Sequence, residues 1–348
     1  MKAHAYAVVS EGRPLEPYVI ERRDPRPFDV AIDVLYCGIC HSDVHQARGE
    51  WNNSTYPMVP GHEILGRVTR VGERVTRHRV GDLVGVGCMV DSCRECSPCR
   101  DHHEQFCEKD CAWTYNGTEM DRTTPTYGGY STHVVVNEAF VLRVPESLDP
   151  AGAAPLLCAG ITTFSPLRQW GCKPGDRVAV VGLGGLGHMA VKLAAAMGAE
   201  VTMLSTSESK AKDAARLGAK AFALTRDEAT FTKLAKSFDL IVDTVSAPHA
   251  YDDYLRLLRP YGVMAIVGVP PTATPVSAGS LIMGNRRLVG SLIGGVAETQ
   301  EMLDFCGEKG IVADVEVIAA SKINEAYERM GRSDVRYRFV IDASTLRS

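Results

Sequence analysis

The sequence predicts an α/β protein in which a doubly wound parallel sheet is joined to a second, β-rich domain. Three observations carry this. The first is the run Val178-Ala179-Val180-Val181, followed by Gly182, Gly184 and Gly187 at G-x-G-x-x-G spacing and by an Ala- and Leu-rich stretch, His188 to Met197. Four consecutive apolar residues suit a strand buried on both faces. Strand, glycine turn and helix is the context that gives this spacing its meaning. The first glycine makes the tight turn, the second lets backbone approach a pyrophosphate, and the third lets helix and strand pack closely. Phosphates would then meet the free N–H groups and the positive end of the helix dipole. The second observation is the alternation of strand-like and helical runs from about Asp149 onward, which implies a parallel sheet covered on both faces. The third is the texture of residues 1 to about 150, rich in Val, Gly and Pro. Short runs separated by turn pairs there suggest a sandwich or a partly open barrel.

At 348 residues the chain is long enough for two domains. Its net charge of -4 gives no reason to expect nucleic acid or a polybasic membrane contact. No stretch approaches the length of a membrane span. Met1 to Ser10 lacks the basic, apolar and cleavage regions of a signal peptide, so a cytoplasmic location is expected. Eleven cysteines, an odd number without an export signal, argue for metal rather than disulfides.

In chain order, Val30 to Tyr36, Glu63 to Val71, Leu83 to Val86 and Ser131 to Val136 read as strands, punctuated by Gly-Asp, Pro-Gly and Gly-Gly pairs. Pro150 to Trp170 is helical in pattern. After the turn Lys173-Pro174-Gly175-Asp176 come the glycine-turn strand and its helix. Strands are then expected at Glu200 to Ser205, Ala221 to Leu224, Asp239 to Val242, Val263 to Val267 and Arg287 to Leu292. Helices are expected at Glu208 to Leu217 and His249 to Leu258. Beyond Gly294 the pattern gives helices at Glu298 to Gly307 and Lys322 to Met330 and a last strand at Tyr337 to Asp342.

Cys93, Cys96, Cys99 and Cys107 are spaced C-x2-C-x2-C-x7-C. Four thiolates so close in sequence can close a tetrahedron around zinc with no open position, a structural site that ties down a loop lacking its own core. An iron–sulfur cluster also takes four cysteines and is the rival reading. Elsewhere Cys40 lies in Cys37-Gly38-Ile39-Cys40-His41-Ser42-Asp43-Val44-His45, His62 in Pro60-Gly61-His62-Glu63, and Cys158 in Leu157-Cys158-Ala159-Gly160. Cys, His and Cys with an open fourth position would make a catalytic zinc. Spacing alone does not join Cys158 to the other two, since a free cysteine is often a small buried apolar residue.

These segments resemble the zinc-containing medium-chain alcohol dehydrogenases. Within them the chain is similar to the NADP-dependent cinnamyl alcohol dehydrogenase family and its bacterial broad-specificity aldehyde reductases of the YahK type. The matching stretches are Tyr36 to Gln46, Tyr56 to Glu63, Cys93 to Cys107, Gly128 to Tyr130, Pro155 to Thr162, Val180 to His188 and Asp334 to Asp342, so the likeness spans essentially the whole chain. It implies a GroES-like catalytic domain from residues 1–154 and 292–348, with a six-stranded Rossmann sheet at 155–291 between them. It also implies catalytic zinc on Cys40, His62 and Cys158, with Glu63 able to enter the fourth position. Asp43 would orient His62, and Cys93, Cys96, Cys99 and Cys107 would hold a second, structural zinc. Ser42 and His45 would relay a proton to solvent. The cofactor NADP(H) would lie against Thr162, the loop Gly182-Leu183-Gly184-Gly185-Leu186-Gly187, Val267, Ser291 and Ile293, with Trp51 and Trp113 lining the substrate pocket. Members commonly pair as homodimers.

The choice of cofactor has a physical reading as well. NAD-selective sites place an acid at the end of the second strand to hold the ribose 2′-OH. That place falls at Thr206, within Ser205-Thr206-Ser207-Glu208-Ser209-Lys210. Hydroxyls replace the acid and Lys210 can pair with a 2′-phosphate, which favours NADP, although Glu208 weighs against it. The expected function is reduction of small aldehydes by NADPH. The competing readings are an NAD-dependent polyol dehydrogenase and a non-catalytic cofactor-binding relative. The second usually loses the zinc ligands that this chain keeps.

Overall fold

The computed structural model describes residues 1–347 and divides them into two units, one of Met1–Ala159 with the chain from Gly294 onward, the other of Gly160–Ile293. Among the described residues no helix is long and apolar enough to cross a membrane.

The first unit is built on the eleven-residue strand Asp29–Ile39, eight of whose residues are buried. Three partners run antiparallel to it: Ile64–Val71, His133–Asn137 and Arg338–Asp342. Register slips between Ala31 and Ile32 and between Val34 and Tyr36 let this one strand serve two sets of neighbours, as bulges do in strands that bend. The far end of the chain joins it in register, with Cys37 opposite Ile341 and Gly38 opposite Val340. Val315–Ala319 then pairs parallel with Arg338–Asp342, after a crossover through the helix Ile323–Gly331. The N-terminal hairpin Lys2–Ala7 and Glu16–Glu21 is a separate antiparallel pair. Lys2–Ala7 alternates exposed and buried residues, as a strand with one face on the core should.

The second unit is a six-stranded sheet in the order Ala221–Leu224, Glu200–Ser205, Arg177–Val181, Phe238–Asp243, Leu258–Ile266, Arg287–Gly290, parallel throughout. The chain winds outward from Arg177–Val181 in one direction, then restarts beside it with Phe238–Asp243 and winds the other way. The glycine turn therefore lies at the point where strand order reverses, where ligands bind in such sheets. The expected helix at His249 to Leu258 is shorter, covering Tyr251–Leu255, and the next strand already begins at Leu258. Two things cut it short. The His249 ring is held outside the helix, with Nε2 2.9 Å from Asp243 Oδ2 and Nδ1 2.8 Å from the Ala247 carbonyl. Leu258 pairs with Phe238 ahead of Pro260, and the register slips there, one of the places where a strand accepts a proline. The helix at 208 to 217 likewise opens with a 3-10 turn, Glu208–Lys210, before Ala211–Leu217.

Both His249 ring nitrogens face acceptors, so the geometry calls for the imidazolium. Burial alone would lower its pKa, but the hydrogen bond and charge of buried Asp243 and the bond to the Ala247 carbonyl together outweigh it, and the net shift is upward. A raised histidine pKa stabilises the fold below the unfolded value of about 6.5 and loses that stabilisation as pH rises through the folded value. Thermal unfolding at about pH 6 and about pH 9 should therefore show the wild type losing a few degrees more than His249→Gln. Parallel losses would show that the pair carries no proton-linked stability.

Candidate functional site

Cys40 closes the strand Asp29–Ile39 and caps the helix His41–Ala47 in extended conformation. Asp43, at the third helical position, accepts from Cys40 N at 2.8 Å. That bond satisfies an orphan donor of the helix start and fixes the direction in which Cys40 leaves the sheet. His62 and Glu63 stand just before the strand Ile64–Val71, after Gly61. Gly61 has φ +104°, and a Cβ there would lie 2.6 Å from the Tyr130 ring and 2.7 Å from Cys37 Sγ, so only glycine fits. Cys158 follows the 3-10 turn Ala154–Leu157.

The fold brings these distant residues together. The donor atoms of Cys40, His62, Glu63 and Cys158 all lie within 4.8 Å of one another, and all four residues are buried. His62 Nε2 is 3.2 Å from Cys158 Sγ, whereas Nδ1 is 3.1 Å from Asp43 Oδ1. Asp43 thus takes one ring nitrogen and leaves the other aimed into the donor set. Glu63 makes a fully buried ion pair with Arg338 through Oε1. Its other oxygen, Oε2, has no hydrogen-bond partner. A buried carboxylate oxygen left unpaired is costly, and a cation at the centre of the four donors would satisfy it. Burial pushes Glu63 up to about 7 even though Arg338 pulls it down. Cys40 is held well below the ordinary thiol value, first by its hydrogen bond with Cys158. Thiolate, imidazole and carboxylate at this spacing are the chemistry of a zinc site.

Cys93, Cys96, Cys99 and Cys107 form the other donor set, again within 4.8 Å. Cys93 Sγ and Cys99 Sγ are 3.9 Å apart. Sulfurs ~2.3 Å from a tetrahedral zinc lie ~3.8 Å from each other, whereas a disulfide needs ~2.05 Å. The cage has room for one ion and none for a multi-iron cluster, which removes the iron–sulfur alternative. The backbone N–H groups of Cys93 and Cys96 point at Cys107 Sγ and Cys93 Sγ, each at 3.4 Å, and favour the thiolates.

Ser42 and His45 share one face of the helix His41–Ala47, three residues apart. Ser42 Oγ is 3.7 Å from Cys40 Sγ, beside the donor set. His45 Nδ1 bonds the Glu50 carboxylate, and its ring stacks on Trp51 at 5.3 Å. Trp51 and Trp113 are 44% and 39% exposed, so neither is core packing.

In the second unit, Gly182 has φ +86°, and a Cβ on Gly187 would stand 1.9 Å from the Gly182 carbonyl. Gly184 faces open space with nothing within 4 Å, which leaves its backbone approachable. Each glycine thus meets the need its place in the motif sets. Ser205 is buried, Thr206 exposed, and the Lys210 ammonium reaches back to the Leu183 carbonyl at 2.6 Å. Val267 and Ser291 follow the ends of neighbouring strands, bonded to the Asp243 and Ile266 carbonyls at 2.9 and 3.0 Å. Ile293 has φ +39°, a left-handed backbone rare for a β-branched residue. Thr162 is buried on the helix Ala159–Gln169.

The sequence did not point to Arg338, Cys88 or Tyr115. Arg338 stands in an apolar run, Tyr337 to Ile341, where a lone buried arginine was the available signal. Cys88 Sγ lies 4.0 Å from the carbonyl of Leu157, the residue before Cys158. Tyr115 stacks on His62 at 5.8 Å. Burial, and next the Asp43 charge, push Tyr115, Tyr130 and Tyr327 well up and keep their hydroxyls protonated.

A nucleotide-type glycine turn and two zinc-type donor sets in one chain define a zinc-binding dehydrogenase. Comparison with known proteins agrees. Residues 26–146 match the alcohol dehydrogenase GroES-like domain and residues 185–308 the zinc-binding dehydrogenase domain. The chain is 55% identical to NADP-dependent alcohol dehydrogenase C 1 of Mycolicibacterium smegmatis over 99% of both chains. It is 53% identical to aldehyde reductase YahK of Escherichia coli, again over 99% of both. The crystal structure of a cinnamyl alcohol dehydrogenase from Helicobacter pylori complexed with NADP(H) superposes with TM-score 0.93 at 42% identity, covering 99% of both chains. The protein belongs to the zinc-containing medium-chain alcohol dehydrogenases, a family of oxidoreductases.

Replacing Cys40 with Ser should lower zinc content from two ions to one, with turnover falling at least ~100-fold and the far-ultraviolet dichroism unchanged. Normal turnover in that variant would remove Cys40 from the metal site.

Proposed function

We propose that the protein is an NADPH-dependent aldehyde reductase that converts small aldehydes to primary alcohols. The observation that carries the cofactor choice is the end of the strand Glu200–Ser205. Thr206 stands exposed where an acid would hold a ribose diol, and the Lys210 ammonium lies against the glycine turn. A carboxylate at Thr206 would repel a 2′-phosphate; hydroxyls on Thr206 and Ser207 with Lys210 nearby attract one. The relatives named as NADP-dependent support the same choice.

Cys40, His62 and Cys158 would hold the catalytic zinc and Cys93, Cys96, Cys99 and Cys107 the structural one. When bound, the catalytic zinc supplies Lewis acidity to a carbonyl oxygen, and NADPH supplies the hydride for the carbonyl carbon. The remaining work falls to the chain's own side chains. Asp43 fixes the tautomer of His62 by accepting from Nδ1. Arg338 balances Glu63, so the site does not gather excess negative charge as its thiols ionise. Ser42 donates a proton to the oxygen that becomes the alcohol. His45, one helical turn on and partly open to solvent, restores that proton, while Glu50 holds its Nδ1. The glycine turn seats the pyrophosphate against the start of the helix Gly187–Ala196. Trp51 and Trp113 would wall the substrate pocket, and Thr162, Val267, Ser291 and Ile293 would flank the nicotinamide. A homodimer is the assembly this reading expects.

Initial rates of NADPH and NADH oxidation with benzaldehyde and butyraldehyde test the reading directly. Fast turnover with NADPH alone is expected; turnover with NADH instead would revive the polyol dehydrogenase. Thr206→Asp should then reduce the ratio of kcat/KM for NADPH over NADH by about 10-fold or more. An unmoved ratio would place the 2′-phosphate contact elsewhere.

A further inference from the structure

Asp43 is fully buried, and its two oxygens meet four donors. Oδ1 accepts from Gly61 N and from His62 Nδ1, both at 3.1 Å. Oδ2 accepts from Cys40 N at 2.8 Å and from the Tyr130 hydroxyl at 3.3 Å. The first three donors belong to the segments that carry the metal donors. The fourth leads away from them. A carboxylate can only accept, so the Tyr130 O–H must point at Asp43. The Tyr130 oxygen then turns its lone pairs to the hydroxyl of Tyr327, 3.4 Å away, and Tyr327 is the donor. The direction of the whole chain is fixed in this way, from Tyr327 through Tyr130 to Asp43.

Packing does not explain these two hydroxyls. Tyr130 is 0% and Tyr327 4% exposed. Phenylalanine would fill either place, and a hydroxyl in the core costs stability unless it is bonded. The two residues are 197 positions apart in sequence, and Tyr327 comes from the helix Ile323–Gly331, an element that supplies none of the metal donors. Two long-range polar contacts in series, ending on the one carboxylate that holds His62, are better explained by what they do to that carboxylate. A charged acceptor with a full set of donors stays ionised and fixed in orientation, and hydrogen bonds in a chain strengthen one another.

We propose that Tyr130 and Tyr327 are positioning residues for the metal ligand His62, acting through Asp43, with Tyr327 working only by way of Tyr130. This rests on Cys40, His62 and Cys158 being zinc ligands. Partners beyond the ligands of a metal site typically change metal affinity by about 10–100-fold when removed. A Tyr130 effect at the low end of that range follows, because Asp43 keeps three other donors.

The test is zinc release from the purified holoenzyme to a chromogenic chelator, for wild type, Tyr130→Phe, Tyr327→Phe and the double variant. Wild type should release two zinc ions in separable phases. In Tyr130→Phe one phase should be about 10-fold faster and the other unchanged. Tyr327→Phe should accelerate the same phase by less, and the double variant should match Tyr130→Phe rather than multiply the two effects. Unchanged release in the single variants overturns the proposal. Equal acceleration of both phases also overturns it, since that is what a loosened fold would give. A multiplicative double variant denies that Tyr327 works through Tyr130. If Tyr130→Phe fails to fold, Tyr327→Phe decides alone, with wild-type release overturning the idea. A wild type holding a single zinc would refute the ligand reading underneath, and this inference with it.

Discussion

The first unit depends on one buried charge. Asp43 bonds the backbone at Cys40, the backbone at Gly61 and the ring of His62, and so joins the end of the strand Asp29–Ile39 to the start of Ile64–Val71. Those two segments bring three of the four residues whose donor atoms cluster within 4.8 Å, Cys40, His62 and Glu63. An uncompensated carboxylate at this depth would cost several kcal/mol. Its donors offset that cost, and each is itself a group whose position matters to the site. The same carboxylate that caps the helix start at Cys40 therefore also orients the ring of His62. Local capping and the geometry of the donor set cannot be separated at this residue.

Charge balance explains the next layer. Two thiols, an imidazole and a carboxylate crowd within 4.8 Å, and Arg338 is the buried cation that faces them. Arg338 is delivered by the C-terminal strand, which pairs with Asp29–Ile39 from Phe339 opposite Ile39 to Asp342 opposite Tyr36. Gly38, on that central strand, makes the space: a Cβ there would fall 1.9 Å from Glu63 Oε2. A side chain at 38 would displace the carboxylate from both Arg338 and the donor set. The return of the chain's end to the first sheet is thus an electrostatic requirement of the site as well as a packing one.

Much of this could be read from residues alone, and the boundary between what could and could not is physical. The glycine turn and the four-cysteine loop are local motifs; their spacing within a few residues determines their geometry, and both appear as expected. Cys158 lies 96 residues from His62, and nothing in its own neighbourhood points to the donor set that the fold brings it into; the likeness to a family suggested it. Arg338, Tyr130 and Tyr327 are legible only once the sheet register is known, because their partners come from other strands and helices. The misjudged helix at His249 has the same origin. Its pattern is helical, but a tertiary bond to Asp243 and the early pairing of Leu258 override propensity.

The four-cysteine loop raises a different question, since it lies outside the main sheet of its unit and has little apolar core of its own. Its sulfurs are held by each other and by N–H groups within the loop, so a metal there mainly fixes the loop's shape. The loop also makes contacts outward. Glu104 accepts from Val296 N at 3.0 Å, at the start of the helix Val296–Lys309, and a Cβ on Gly295 would stand 1.8 Å from the His102 carbonyl. A carboxylate at a helix N-terminus satisfies an orphan donor and meets the positive end of the dipole. The close approach at Gly295 requires that the loop keep its shape to within a fraction of an ångström. A metal closed on the four sulfurs would meet that requirement, because rigid four-point ligation leaves the His102–Glu104 segment little freedom to drift. The loop therefore acts as a brace for the point at which the chain re-enters the first unit, immediately after the strained backbone of Ile293.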